Sequence, residues 1–396
     1  MPSWGHLCLG SWWTSKSKWP GKQRAGVADW ENAMYYFRAD GNAVTGAGHL
    51  MRCLTIAEGL KKLPEAESTL VKTGGVCFLC ADEASAELVT QRGFEVRILH
   101  TDYRNMEEEL PVLKEVFGSE EPVFLVDSYY VTDAYLEALR SYGKVYLMDD
   151  MGKKPYPVDG VINYNAFADK TYYENLYGAK KVLLAIGSEY VPVRPQFMNV
   201  PYEVREQVKE VLITTGGGDH DNIAAAVFEA IRRPDCHYHV IVGQFNPYFF
   251  WWKQLEQEND KIEVHHNVTD MASLMRQCDL AVTAGGTTIY ELAAIGVPFL
   301  CFSYAENQEA LTAYIGRENI AGYCGAYHLK PQETLNCMST LVELMCEGVK
   351  SGEHVSGANR AAELAGVALR RKMYQREKEM IDGLGAGRIA KFLTGK

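Results

Sequence analysis

The stretch Arg38-Ala39-Asp40-Gly41-Asn42-Ala43-Val44-Thr45-Gly46-Ala47-Gly48-His49-Leu50-Met51-Arg52-Cys53 carries the decisive pattern. A short apolar run, Tyr35-Tyr36-Phe37, leads into a polar loop that bears glycines. The loop ends in a histidine at the head of an amphipathic segment, so the whole reads as strand, loop and helix. Gly46 and Gly48 let the backbone turn tightly and approach a ligand closely. His49 falls at the helix N-terminus, where the positive end of the macrodipole opposes imidazolium. A neutral imidazole there can accept a proton, as a general base must. The same Gly-x-Gly-His run also fits a plain strand-to-helix turn with a capping polar residue, because short glycine motifs recur for purely structural reasons.

Working outward, apolar runs alternate with amphipathic segments from Met34 onward. The pattern predicts strands over 35–38, 76–79, 95–99, 123–126, 145–148 and 160–162, and helices over 49–62, 83–92, 106–116 and 132–141. A turn-rich stretch ends in Val191-Pro192-Val193-Arg194-Pro195, whose prolines suggest an interdomain linker. A second series begins at Glu210, with strands over 211–214, 238–242, 262–265, 280–283 and 299–302. Its helices are expected over 222–232, 249–257, 271–277, 288–295, 308–318 and 335–347. A last amphipathic stretch over 357–371 leads to Asp382-Gly383-Leu384-Gly385-Ala386-Gly387-Arg388-Ile389. Strands alternating with helices imply parallel strands, hence an α/β protein of two doubly wound, Rossmann-like domains facing a cleft. The expected division is 34–195, a linker over 196–209, a second domain over 210–375, and a C-terminal helix over 376–396 that returns to the first domain. Ligands of such folds bind outside the carboxyl ends of the strands.

Length and composition agree. The 396 residues leave room for two domains, and 47 % apolar content lets each bury a core. The net charge of −11 and the lack of any long Lys/Arg block speak against a nucleic-acid surface. No window of about 18 consecutive apolar residues offers a membrane span. Ten cysteines scattered through apolar segments read as reduced thiols, which suits a cytoplasmic protein. Cys77-x-x-Cys80 lies in an apolar strand and lacks the second pair of ligands that zinc requires. Residues 1–33 differ from the rest: they hold five of the seven tryptophans and little periodicity. They read as a disordered tail or an upstream extension, with Met34 as the natural start.

Two glycine turns mark the second half. Strand 211–214 ends in Thr215-Gly216-Gly217-Gly218-Asp219, and strand 280–283 in Ala284-Gly285-Gly286-Thr287-Thr288. Backbone N–H groups in such turns, at helix N-termini, suit a pyrophosphate. The first turn also fits a flexible loop with Asp219 or Asp221 capping the next helix. Glu291 has two readings: the end of a Thr288-x-x-Glu291 capping box, or an acceptor for a ribose diol. Glu306-Asn307-Gln308 opens the next helix beside the same cleft.

The ordered set of these runs resembles the UDP-2,4-diacetamido-2,4,6-trideoxy-β-L-altropyranose hydrolases of pseudaminic acid biosynthesis. The resemblance runs from Arg38-Ala39-Asp40 and Gly46-Ala47-Gly48-His49-x-x-Arg52-Cys53 through Val126-Asp127-Ser128-Tyr129, Asp149-Asp150 and Asn163-Tyr164-Asn165. It continues through Gly216-Gly217-Gly218-Asp219, Ala284-Gly285-Gly286-Thr287-Thr288-x-x-Glu291-Leu292, Glu306-Asn307-Gln308 and Asp382-Gly383-x-Gly385-Ala386. The Gly-Gly-x-Thr-x-x-Glu element is shared with UDP-sugar glycosyltransferases of the GT-B fold. The resemblance implies a GT-B architecture, UDP held mainly by the second domain, and hydrolysis of the sugar C1–O bond with inversion, without metal or cofactor. It assigns His49 to activation of the attacking water. It implies substrate contacts at Asn42, Gly48, Arg52, Tyr129, Gly217, Gly218, Gly286, Thr287, Thr288, Glu291, Asn307 and Gln308. Through the product it also implies a link to flagellin glycosylation. Where the family pattern has an arginine after the Asp149-Asp150 pair, this chain has Lys153 and Lys154.

Several local points stay open in the sequence. Asp40 and Asn42 also suit Asx-type hydrogen bonds that hold the His49 loop. Arg52 fits an anion site or a pair with a strand-end aspartate. Asp149 and Asp150 do not make a metal pair, because adjacent side chains on a strand point to opposite faces. Two other functions compete: a GT-B glycosyltransferase with an acceptor other than water, and a non-catalytic UDP-sugar-binding protein. A monomer suits a two-domain enzyme whose cleft opens and closes.

Overall fold

The structure is a computed structural model that describes residues 35–41, 47–63, 75–116, 122–178, 180–243, 246–347 and 366–395. Expectations for residues 1–33, Asn42, Gly46 and the start of the 357–371 segment lie outside these residues.

The first sheet has seven parallel strands: β1 (Tyr35–Ala39), β2 (Val76–Cys80), β3 (Glu95–Ile98), β4 (Val123–Asp127), β5 (Lys144–Met148), β6 (Gly160–Asn163) and β7 (Leu183–Ile186). Their spatial order is β3-β2-β1-β4-β5-β6-β7. The helices are α1 (Gly48–Lys61), α2 (Glu83–Gln91), α3 (Leu110–Val116), α4 (Asp133–Arg140) and α5 (Lys170–Tyr177). The second sheet has six parallel strands: β8 (Glu210–Thr214), β9 (His237–Val242), β10 (Ile262–His266), β11 (Leu280–Ala284), β12 (Phe299–Ser303) and β13 (Gly322–Ala326), in the order β10-β9-β8-β11-β12-β13. Its helices are α6 (Ile223–Ile231), α7 (Phe249–Glu258), α8 (Met271–Met275), α9 (Thr288–Ile295), α10 (Glu306–Arg317), α11 (Pro331–Glu347) and α12 (Val367–Met380), and the chain ends in α13 (Gly385–Leu393).

Both sheets are doubly wound, and each reverses strand order once. The reversal lies between β1 and β4 in the first sheet and between β8 and β11 in the second. A crevice opens at such a point, because successive crossovers leave it in opposite directions. The loops after β1, β8 and β11, the runs that the sequence singles out, therefore all fall at switch points.

Three elements escape the periodicity reading. β13 is an edge strand whose Gly-Tyr-Cys-Gly-Ala run gives little apolar signal, and β7 is an apolar edge strand inside the turn-rich stretch that reads as a connection. α5 buries Tyr173 and Tyr177 through aromatic spacing within an otherwise polar segment. Helix limits also move: α10 starts at Glu306, α11 at Pro331, and α12 runs on past Arg371 to Met380. Proline at the first helical position costs nothing, since its missing N–H has no partner there anyway.

The connection between the sheets is packed. Val191, Val193 and Phe197 are buried in one apolar cluster that takes residues from both domains, including Leu50 and Ile56 of α1 and Ile289 and Ala293 of α9. Farther on, Tyr202 donates to the Cys278 carbonyl at 3.1 Å. α12 lies on the second domain, where Arg370 donates to the carbonyls of Arg205 and Glu206. α13 crosses back to α1. A Cβ at Gly59 would stand 2.9 Å from the Ala386 carbonyl oxygen, so this helix pair approaches closely only through glycine.

Under the first loop lies a buried charge cluster. Arg38 donates to both Glu109 carboxylate oxygens and to Asp40, while Tyr135 donates to Glu109 at 2.9 Å. The local Asx bonds expected at Asp40 would fall on residues 42–46, outside the described ones; among the described residues Asp40 also bonds across the sheet. Its Oδ1 accepts from the Ala81 N–H at 2.7 Å and ties the end of β1 to the end of β2. The described cysteines are all unpaired, and Cys77 and Cys80 enter the cores on opposite faces of β2. Among the described residues, no helix is long and apolar enough to cross a membrane.

Candidate active site

β1 and β4 are neighbours in register, with Ala39 beside Asp127. Asp127 is the last residue of β4 and projects toward the first turn of α1. There His49 Nδ1 lies 2.6 Å from Asp127 Oδ1. One turn later, Arg52 donates through Nε to Asp127 Oδ2 and through Nη2 to Oδ1, each at 2.6 Å. Burial alone would raise the Asp127 pKa, but the Arg52 guanidinium and His49 hold it well below the usual carboxylate range. The carboxylate is thus ionised and can only accept. His49 must carry its proton on Nδ1, and neutral His49 keeps its lone pair on Nε2. No hydrogen bond among the described residues reaches Nε2.

Arg52 spans the site. Its Nη1 donates to Asp150 Oδ2 and to the Tyr164 hydroxyl, both at 2.8 Å. Of the sequence alternatives for Arg52, the pair with a strand-end aspartate is the one formed. Burial works against the Arg52 charge, but Asp127 and Asp150 raise its pKa well above the usual value. Tyr129 donates to Asp150 at 3.2 Å and meets the His49 ring edge-on, with centroids 4.6 Å apart. Its side chain is 60 % exposed, so it walls the open side of the site. Asp149 and Asp150 diverge. Asp149 accepts from the Met151 and Gly152 N–H groups and from Tyr173, while Asp150 faces Arg52. Lys154 pairs with Asp133 at 2.9 Å.

Gly48 opens α1, whose N-cap, Ala47, makes no side-chain cap bond. Among the described residues, no side chain caps the first N–H groups of this helix beside His49.

The second domain presents its own loops at its own switch point. Gly216 has φ +93°, a conformation that only glycine adopts readily. Gly217 has open space where a side chain would stand, and a Cβ at Gly218 would stand 3.8 Å from His220 Nε2. Gly243 packs its backbone directly onto the carbonyls of Gly216 and Gly217. Asp219 accepts from the Ile223 and Ala224 N–H groups at 2.7 and 2.9 Å, so it caps α6. In the second turn, Gly285 makes the close approach: a Cβ there would stand 2.6 Å from Thr312 Cγ2 of α10. Gly286 has open space beside it.

The expected capping box does not form. Thr287, not Thr288, is the N-cap of α9, and it makes no side-chain cap bond. Glu291 instead pairs with Arg194 of the interdomain connection at 2.7 Å. Burial raises the Glu291 pKa, and Arg194 offsets this in part. Gln308 accepts from the Tyr304 N–H at 3.0 Å and closes the turn before α10, whereas Asn307 is exposed.

His49, Arg52 and Tyr129 therefore form one cluster. Arg52 and Tyr164 share a small pocket between the domains with Thr287, Tyr290 and Glu291. The Tyr290 hydroxyl accepts from the Ala166 N–H at 3.2 Å across the same interface. Gly217, Gly218, Gly286, Thr288, Asn307 and Gln308 lie at the strand ends of the second sheet. Periodicity and motif spacing alone do not single out Asp127, Asp150 or Arg194. The available signal for Asp127 is its place at the carboxyl end of a central strand.

Comparisons with known proteins follow the same outline. The profile of the Glycosyltransferase family 28 C-terminal domain matches residues 210–335. MJ1062 of Methanocaldococcus jannaschii is 25 % identical over 288 residues, 68 % of this chain and 55 % of its own length. The spore coat polysaccharide biosynthesis protein SpsG of Bacillus subtilis is 24 % identical over 310 residues, 75 % of this chain and 85 % of its own. A Helicobacter pylori protein is 27 % identical over 192 residues, 46 % of this chain and 34 % of its own. It is named pseudaminic acid cytidylyltransferase and UDP-2,4-diacetamido-2,4,6-trideoxy-β-L-altropyranose hydrolase. The chain thus spans about half of the first of these relatives and a third of the last. Among solved structures, MurG of Acinetobacter baumannii superposes with TM-score 0.62 at 13 % identity, covering 92 % of this chain and all of MurG. The fold is that of the GT-B glycosyltransferases, two parallel-sheet Rossmann-like domains facing a cleft.

Proposed function

We propose that this chain hydrolyses a UDP-linked 2,4-diacetamido-2,4,6-trideoxy sugar at C1–O, with inversion, in the biosynthesis of pseudaminic acid. The observation that carries the reading is the His49–Asp127 pair, which leaves Nε2 without a hydrogen bond among the described residues. Water attacks C1 from the face opposite UDP, and its proton passes to His49 Nε2 as the C1–O bond breaks. Asp127 orients the ring and stabilises the imidazolium that forms. The leaving diphosphate is a weak base. In this reading the N–H groups of Gly217, Gly218 and Gly286 and the head of α9 meet its charge without a metal ion. Glu291 accepts from the ribose diol after releasing Arg194. Thr287, Thr288 and Gln308 line the nucleotide side, and Asn42, Gly48, Tyr129 and Asn307 the sugar side. Arg52 holds Asp127 and Asp150 in place. The Helicobacter pylori relative, by its name, supports a nucleotide-sugar substrate of this kind, and SpsG, by its name, a place in polysaccharide biosynthesis.

The family 28 match favours a second reading, transfer of the sugar to an acceptor hydroxyl. His49 would deprotonate that hydroxyl in place of water. A proton NMR time course of the full chain with UDP-2,4-diacetamido-2,4,6-trideoxy-β-L-altropyranose, with EDTA present and His49→Ala alongside, separates the two. Release of UDP and inverted free sugar, lost in the variant, is the expected result. Release that requires an added acceptor points to transfer. No turnover by a folded, UDP-binding protein sinks both.

A further inference from the structure

The chemistry of the cleft leaves one cluster of side chains unused. Glu210 opens β8, His237 and His239 are the first and third residues of β9, and Glu263 and His265 lie on the edge strand β10. In register, Glu210 stands beside His237, and His239 beside Glu263. Side chains alternate along a strand, so all five project from one face of the sheet. The other face of these strands carries Val211, Tyr238, Val240, Ile262 and Val264 into the apolar core. The polar face opens into a cavity of about 660 Å³.

The distances there suit a cation. Glu210 Oε2 lies 3.1 Å from His237 Nδ1 and 3.0 Å from His239 Nε2. A carboxylate oxygen and two imidazole nitrogens thus fall within 4.8 Å of one another. A tetrahedral ion with bonds of about 2.0–2.1 Å spaces its donors about 3.3–3.4 Å apart, close to both carboxylate–imidazole distances. His239 is buried, and its second nitrogen, Nδ1, lies 3.0 Å from His265 Nε2 and 3.5 Å from Glu263 Oε2. A ligating histidine is typically held in this way through its second nitrogen, which fixes the tautomer. The cations that line the cavity are engaged elsewhere: Arg205 with Asp279 at 2.6 Å, and Lys209 with Asp235 at 3.7 Å.

We propose that Glu210, His237 and His239 bind one divalent transition-metal ion of the zinc class, with His265 as a positioning residue behind His239. Two imidazoles and one carboxylate favour zinc over magnesium or calcium, which take oxygen ligands. The site lies at the amino ends of β8 and β9, at the far end of the sheet from Gly216–Gly218. Its role is therefore to clamp β9 to β8, apart from the cleft.

The test uses the untagged full chain, stripped with EDTA, dialysed and titrated with zinc chloride by calorimetry. One equivalent should bind and raise the melting temperature, as any ligand that prefers the native state does. His237→Gln and His239→Gln should each abolish this binding, and His265→Gln should weaken it about 10–100-fold. Zinc-edge X-ray absorption of the loaded wild-type chain should show nitrogen and oxygen neighbours with imidazole scattering. Circular dichroism checks that each variant folds, and the wild-type titration and absorption stand whatever the variants do. No binding near one equivalent, binding unchanged in the His237→Gln/His239→Gln double variant, or a sulfur-rich shell would overturn the proposal.

Discussion

Replacing Asp127 by asparagine separates the chemistry of the dyad from its part in folding. In the native site Asp127 faces three N–H donors, one from His49 and two from Arg52, each at 2.6 Å. An amide offers a single acceptor oxygen, so its NH2 must confront either Arg52 Nε at the Oδ2 place or both His49 Nδ1 and Arg52 Nη2 at the Oδ1 place. With the NH2 in the place of Oδ1, His49 must turn Nδ1 into an acceptor and move its proton to Nε2. The cleft nitrogen can then no longer take a proton. General-base catalysis contributes about 10²–10⁴ in rate, or about 3–5.5 kcal/mol of barrier at 1.36 kcal/mol per decade. The folding cost comes from Arg52. Leaving a buried charge without its partner costs about 3–5 kcal/mol. Arg52 keeps Asp150 and Tyr164, which places the loss near the lower end. About 3 kcal/mol lies within the usual stability margin of about 5–15 kcal/mol, so the variant should fold and melt at a lower temperature. The assay is turnover by NMR, melting by circular dichroism and UDP affinity by calorimetry. The expected result is a kcat lowered 10²–10⁴-fold with UDP affinity unchanged. In a His49→Ala background the same change should cost little further kcat, because the two residues act as one unit. A folded Asp127→Asn protein with nearly wild-type kcat, or losses that multiply in the double variant, would refute the reasoning.

Three further outcomes concern stability. Glu109→Gln should cost about 3–5 kcal/mol, because it leaves Arg38, fully buried, without its main counter-charge; denaturant titration reads this directly. Burial raises the Glu377 carboxyl well above its usual 4.5, and Lys378 only partly offsets this. The native chain thus holds an extra proton between 4.5 and the raised value, and its stability falls as pH rises through that window. Glu377→Gln removes the effect, so its melting temperature should exceed wild type by a gap that widens from pH 4.5 upward, and a gap that stays flat with pH would contradict the assignment. Gly385→Ala would press a methyl onto the Val191 carbonyl, where α13 meets the interdomain connection. It should destabilise by about 1–3 kcal/mol, and an unchanged melting curve would show that this junction is loose.

Much of the fold is legible in the chain because its signals are local. α1, α9 and the central strands β1, β4, β8 and β11 bury long, regular apolar patterns, so they follow from periodicity within a residue or two. β7 and β13 do not: β7 is a short apolar run within a turn-rich stretch, and β13 carries two glycines and buries one position. The first glycine turn is legible for a similar reason: Gly216 answers to its own backbone, at φ +93°, whereas Gly285 answers to Thr312 of α10. Glu291 shows where local reading stops. Its spacing from Thr288 suggests a capping box, but its partner is Arg194, 97 positions earlier in the chain.

The sequence by itself determined the two alternating α/β series, the placement of glycine turns at strand ends, and a histidine at the head of the first crossover helix. Each depends on residues a few positions apart, within reach of one turn or one pleat. Only the tertiary structure decided which groups meet. Asp127 reaches His49 across 78 positions because β1 and β4 are neighbours at the point where the sheet reverses its winding. Glu210, His237 and His239 share one face because β8 and β9 pair in a particular register. Strand order and register are global outcomes of packing helices on both faces of a sheet, and no short stretch of chain encodes them.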